Sequence, residues 1–153
     1  MFHALRKLIF RGPCYVRFNR DEISVRDVSR NLDYRCAAVV GIDQGNRIVS
    51  VGEPVSADAT KIVRPFSHPR VVIENFAVAE KLLCFALSKI SPFKWLNPSP
   101  ILLIHPEIEL AGGLSKVETK ALMELGASAG SRKTFVYYGG RLADAEVIVR
   151  AKV

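Results

Sequence analysis

The stretch "CYVRFNRDEISVRDV" (Cys14 to Val28) alternates apolar and polar residues along two short runs. Cys14 to Asn19 and Ile23 to Val28 both follow the period of two that places successive side chains on opposite faces of a sheet. They meet at Asn19, Arg20, Asp21 and Glu22, a bend without glycine, serine or threonine. A chain that carries such a hairpin must build its core on the faces of a sheet, because an edge-to-edge pair alone buries too little.

The rest of the sequence supplies the cover. "NLDY" is expected to turn the chain, and "CAAVVGI" (Cys36 to Ile42) reads as a third strand, buried because its apolar run is continuous. "DQGN" (Asp43 to Asn46) has hairpin-turn chemistry, and "RIVSVG" (Arg47 to Gly52) forms the next strand. Glu53 to Pro69 is expected to be irregular, punctuated by Pro54, Pro65 and Pro69. In "ENFAVAEKLLCFALSKI" the period changes to 3.6: Phe76, Ala79, Leu83 and Leu87 mark one helical face, widened by Leu82, Phe85 and Ala86. "SPFKWLNPSP" is a proline-rich loop in which Trp95 reads as a lid over the core edge. "ILLIH" (Ile101 to His105) reads as a buried strand. A second helix follows, with Ser115 as N-cap, Glu118 at capping-box spacing and Gly126 as its stop. "TFVYY" (Thr134 to Tyr138) closes the strands, and "RLADAEVIVRAKV" stays open between helix and strand.

An antiparallel meander followed by β-α-β-α-β order is an α/β architecture with a mixed sheet, the order of a ribonuclease-H-like half. At 153 residues it is most simply a short basic leader (1–12) and one domain (13–153). In the leader, Phe2, Leu5, Leu8 and Ile9 share one face and Arg6, Lys7 and Arg11 lie elsewhere. Two readings stay open: a helix that touches an anionic membrane surface, and a helix docked on the domain's own core. The net charge of +7 attracts phosphates of nucleic acid or lipid. No glycine-framed motif alternating aromatics with Arg or Lys is present, so a nucleic-acid partner is not favoured. There is no apolar run of membrane-spanning length and no signal-peptide pattern. A cytoplasmic protein, peripheral at the inner membrane face where the leader touches it, is the expectation.

The three cysteines, Cys14, Cys36 and Cys84, are odd in number and widely spaced. They read as small apolar residues rather than a disulfide or metal framework. His3, His68 and His105 do not pair with acids at metal-ligand spacing. His68 reads as a loop residue and His105 as a hydrogen-bonded histidine at the edge of a buried strand. No metal and no cofactor is expected.

From about Ala37 onward the chain resembles the first half of MreB-type bacterial actins, the rod-shape-determining proteins. The residues that carry the likeness are "AAVVGI" followed by "IVSVGEPV", the Arg-Pro loop and helix of "IVRPFSHPRVVIENFAVAEKLLCFALSKI", and "PSPILLIHPEIELAGGLSKVETKALMELGASAGSRKTFVYY". "MFHALRKLIFRG" resembles the amphipathic leader of some members. The likeness covers roughly residues 1 to 145 and implies one half of an actin-like fold.

The family's first hairpin carries a phosphate loop of the type Asp-x-Gly-Thr-x-Asn, in which glycine lets backbone N–H groups reach the phosphates. The matching bend here is Asn19, Arg20, Asp21 and Glu22. Asp21 and Glu22 would set carboxylates against phosphate oxygens, at roughly 4 kcal/mol per contact for an effective dielectric of about 20. Arg20 offsets one of them but supplies no backbone cradle. Two glycine-bearing turns, Asp43 to Arg47 and Gly112–Gly113 before the second helix, are explained by turn chemistry alone.

Glu118 falls where the resemblance places the glutamate that orients the attacking water. After "FVYY", where the family has Glu-Glu-Pro and a helix, this chain has Gly139, Gly140 and Arg141. The chain ends before the family's second phosphate loop. The resulting expectation is a non-catalytic, actin-like interaction protein with a protein or filament partner, and homo-oligomers stay open. Its rival is a nucleotide-binding protein or ATPase whose site is completed by homodimerisation.

Overall fold

The computed structural model describes residues 12–91 and 99–151. Phe2, Leu5, Leu8, Ile9, His3 and Trp95 lie outside the described residues.

The hairpin forms as expected. β1 (Cys14–Phe18) pairs antiparallel with β2 (Glu22–Asp27), with Val16 opposite Val25. β3 (Leu32–Ala37) then pairs antiparallel with β2. Two elements differ from the sequence expectation here. The chain turns earlier than "NLDY", over 28–31, where Asn31 takes a positive φ of 54°. The apolar run expected as one strand is divided: its first residues end β3, and its last form β4 (Val40–Ile42) in a second sheet. Ala38, Val39 and Val40 are fully buried where the chain passes between the sheets, so their continuous apolarity reflects a crossing point.

β4 is the centre of a small three-stranded sheet, flanked by β5 (Ile48–Val51) and β6 (Lys61–Val63). β6 lies inside the stretch expected to be irregular. Pairing with β4 supplies its ladder, and Phe66 anchors the following turn by stacking on Phe18 with ring centroids 4.0 Å apart.

The main sheet has the order β3-β2-β1-β7-β8, with β7 (Ile101–Pro106) parallel to β1 and β8 (Lys133–Val136) parallel to β7. This is the expected mixed sheet. α1 (Phe76–Lys89) starts at Asn75, whose Oδ1 accepts from Val78 N at 3.1 Å, and α2 (Lys116–Ser128) starts at Ser115, whose Oγ accepts from Glu118 N at 3.1 Å. Both pack on one face of the sheet: α1 against β2 and β3, α2 against β7 and β8.

Two helical residues depart from expectation. Phe76 lies on the exposed side while Val78 joins the buried stripe, because the helix faces the sheet a little off the predicted wheel position. Gly126 does not stop α2. It is buried inside it, where a Cβ would come within 2.6 Å of Thr134 Cγ2 on the neighbouring strand; glycine permits close helix–sheet approach there. The ambiguous tail contains α3 (Asp144–Arg150).

Strand alternation sorts the side chains into two layers. Cys14, Val16, Phe18, Ile23, Val25, Leu102 and Ile104 join the large core under α1 and α2. Tyr15 and Leu103 point to the other face, where they meet Leu142 and Val147 beneath α3.

Candidate functional site

In an open α/β sheet, ligands sit outside the carboxyl ends of parallel strands. Here that edge is formed by the ends of β1 and β7, which bring the Asn19–Glu22 bend beside the chain leaving β7: Glu107 N donates to Phe18 O at 2.7 Å.

The bend satisfies itself. Asn19 Oδ1 accepts from both Asp21 N, at 2.8 Å, and Glu22 N, at 2.9 Å, while Asn19 N donates to Glu22 O at 3.0 Å. Asp21 O in turn accepts from Ala38 N at 2.8 Å. The amides that a phosphate loop would turn outward are held by the loop's own side chain. Arg20 and Asp21 are exposed, and Glu22 reaches Arg35 of β3 at 3.8 Å.

Beside the bend lies a charged cluster that the sequence reading missed. Arg17 Nη1 donates to Glu107 Oε1 at 3.1 Å, and Arg17 Nη2 donates to Ser24 Oγ at 3.3 Å. Arg141 reaches the same carboxylate through Nε, 3.1 Å from Oε2, and Nη2, 3.0 Å from Oε2. Two guanidinium groups thus share one acid at the sheet's carboxyl edge. Alternation placed Arg17 on the face of Tyr15, but only the β1–β7 register, Arg17 opposite His105, sets it beside Glu107.

One layer below, His105 is 1% exposed and fully bonded. Tyr15 Oη lies 2.6 Å from His105 Nδ1 and accepts from Leu142 N at 3.1 Å; His105 Nε2 lies 2.8 Å from Gly139 O. A carbonyl can only accept, so Nε2 carries the proton and Nδ1 accepts from the tyrosine. Burial pushes the His105 pKa down and the Tyr15 pKa up. The expected satisfied histidine is present, though on a strand interior to the sheet rather than at an edge.

Glu118 occupies the first turn of α2. The Ser115 half of the capping box forms, yet Glu118 Oε2 is buried with no hydrogen-bond partner. Among the described residues it makes no hydrogen bond or ion pair to the bend. The other glycine-bearing turns behave as turns. Asp43 Oδ1 accepts from Arg47 N at 2.9 Å, a bond that leads in holding the Asp43 carboxyl below its usual range. Gly112 and Gly113 take φ of 81° and 76° on the way into α2. His68 Nδ1 accepts from Arg70 N at 3.1 Å within its loop.

None of the three cysteines is in a disulfide; Cys14 is buried, and partial burial pushes the Cys36 and Cys84 thiols up. Among the described residues no group of three or more His, Cys, Asp or Glu could hold a metal ion, and no helix is long and apolar enough to cross a membrane.

Solved structures superpose on this fold. MreB5 of Spiroplasma citri bound to AMPPNP superposes with a TM-score of 0.66 over 84% of this chain at 14% identity. This is the fold of an actin-like half. A non-polymerising MamK mutant bound to AMPPNP matches the same 84% with a TM-score of 0.66 and 18% identity. The MamK double helical filament matches over 82% with a TM-score of 0.58 and 19% identity. The actin-like half spans only 38% of the MreB5 chain and 40–41% of the MamK chains. No family model matches it, and no curated protein does.

Proposed function

We propose that this chain is a non-catalytic actin-like half that acts through protein contacts rather than by nucleotide turnover. The observation that carries this reading is Asn19, whose carbonyl oxygen occupies the backbone N–H groups of Asp21 and Glu22. A triphosphate at that bend would have to displace both bonds and lie beside two carboxylates. Charge stabilisation and a positioned water, which phosphoryl transfer requires, have no source in the bend itself. Glu118, at the position the resemblance gives to a water-orienting glutamate, has its backbone N–H engaged by the Ser115 cap.

The partner is a protein or filament, and the role is in cell shape or envelope organisation. The leader residues Phe2, Leu5, Leu8 and Ile9 add contact with the anionic inner face of the membrane, with the domain in the cytoplasm.

Isothermal titration with Mg-ATP, paired with a solution mass measurement, tests the core of the proposal. The expected result is no saturable heat at any oligomeric state. The competing reading draws on the MreB5 and MamK structures bound to AMPPNP: a second copy completes a site. Saturable, magnesium-dependent binding by a dimer would establish it. For the leader, co-sedimentation with anionic liposomes is expected to drop when residues 1 to 11 are removed; equal pelleting would exclude the membrane contact.

A further inference from the structure

The second face of the main sheet is unevenly covered. Parallel strands are normally buried on both faces. Among the described residues, α3 alone lies over this face, and only Val147 of that helix, with Leu142 before it, is buried there. Between α3 and β8 runs an open groove of about 640 Å³, floored by Leu103, Phe135 and Tyr137 and walled by Val149 and Arg150. Val149 is 75% exposed and Ile148 42%, so the apolar surface continues along the helix.

The cations at this groove lie on aromatic rings rather than on acids. Lys133 Nζ lies 4.9 Å from the Phe135 ring centroid, and the Arg150 guanidinium lies 4.4 Å from that of Tyr137. Neither cation makes an ion pair among the described residues, whereas Arg17, Arg26, Arg35, Arg47, Arg64 and Arg141 all do. Glu146 is the one acid in the lining. It lies one helical turn from Arg150, whose guanidinium takes the ring face instead.

We propose that the α3–β8 groove docks an amphipathic helix of a partner protein, its apolar stripe on Phe135, Tyr137 and Val149 and its flanking carboxylates on Lys133 and Arg150. The proposal rests on the interaction role given above and names the surface that performs it. Helix-in-groove recognition lays an apolar helix face into an apolar trough, and charges at the rim add specificity. Charge selects the occupant. The chain is +7 overall, and its leader carries Arg6, Lys7 and Arg11 with no acid before Asp21, so neither the leader nor a second copy brings the complementary charge as well as an acidic helix does. α3 spans about 10 Å at 1.5 Å per residue, which fits two turns of a bound helix.

The test uses fluorescence anisotropy on the full chain with three labelled peptides of about 18 residues, long enough to hold a helix. One has leucines at i, i+3, i+4 and i+7 with glutamate flanks. The second has the same leucines with lysine flanks, and the third is a scramble of the first. The acidic peptide is expected to bind at least about tenfold tighter than the other two. Val149→Asp, a change at an exposed position, should abolish that binding, and K133E combined with R150E should reverse the preference toward the lysine peptide. Equal affinity for all three peptides, absence of saturable binding, or an unaffected Val149→Asp variant overturns the proposal. So does a Val149-dependent dimer in sedimentation, which puts a second copy in the groove. Mg-ATP titration on the same sample reports separately on the non-catalytic reading, so either idea can fail without the other.

Discussion

The Tyr15 hydroxyl stands 2.6 Å from His105 Nδ1, ninety positions away in sequence and on the adjacent parallel strand. Through that contact the first strand of the meander is joined to the β-α-β half of the fold. Through Leu142 N and Gly139 O the same two side chains hold the segment that leads into α3. Tyr137 closes the group edge-on, with its ring centroid 4.9 Å from that of His105.

Tyr15→Phe removes one hydroxyl and leaves His105 Nδ1 and Leu142 N without partners in a buried site. The expected cost is about 1–3 kcal/mol. It should appear as a lower urea midpoint with an unchanged slope, and an unchanged midpoint would show that water replaces the hydroxyl.

The same site makes stability depend on pH. Burial holds the folded-state pKa of His105 below its ordinary value, and the unfolded chain titrates near about 6.5. Above that value His105 is neutral in both states and its contribution is complete. As pH falls below it, the unfolded state binds the proton first, so stability is lost progressively toward the folded-state pKa. Urea midpoints measured from about pH 7.5 down to about pH 5 should therefore decline more steeply in the wild type than in His105→Leu. Parallel profiles would rule out His105 as the source.

Asn19→Ala takes away the oxygen that both bend amides share. The loss should be about 1 kcal/mol, the size of a lost helix cap, because solvent partly replaces the bonds at a half-exposed turn. Amide exchange at Asp21 and Glu22 should quicken in the variant while exchange in β7 does not. Unchanged exchange at the two amides would show that the side chain does not protect them.

Gly126→Ala places a methyl against Thr134, within 2.6 Å of Cγ2 and 2.9 Å of Cβ. α2 must shift from β8, at an expected cost of about 1–3 kcal/mol. Combining it with Thr134→Gly should recover much of the loss, which a thermal melt of the three variants reads directly. Full additivity of the two changes would exclude the contact.

Arg26 holds Asp144 through two bonds, Nε–Oδ1 at 2.8 Å and Nη2–Oδ2 at 2.7 Å, and these bonds lead in pulling the Asp144 carboxyl below its usual range. The pair is partly exposed, with side-chain exposures of 23% and 48%. Solvent screening limits it to about 0.5–1 kcal/mol despite ideal geometry. Asp144→Asn should lose that amount at low salt and less at high salt. The wild-type advantage should be present above the unfolded carboxylate pKa of about 3.9 and disappear as pH falls through the lower folded value.

Local pattern carried much of the fold. Period-two alternation located β1 and β2, the 3.6 period located α1, and the caps at Asn75 and Ser115 are set by side chains three residues from the amides they bind. Each depends on neighbours in sequence, so the amino acids alone determine it. The run Cys36 to Ile42 could not be divided between two sheets from its composition, because a buried crossing and a buried strand require the same apolar residues. Gly126 read as a helix stop because its close contact, Thr134, lies across an α–β interface.

The candidate site divides in the same way. The absence of glycine from the Asn19–Glu22 bend is a property of the chain, visible without coordinates. That the Asn19 oxygen fills the bend, that Arg17 and Arg141 converge on Glu107, and that Lys133 and Arg150 flank an open trough were decided only by tertiary structure. Those placements follow from the parallel register of β1, β7 and β8, which local sequence cannot encode because its partners lie 30 to 90 residues apart.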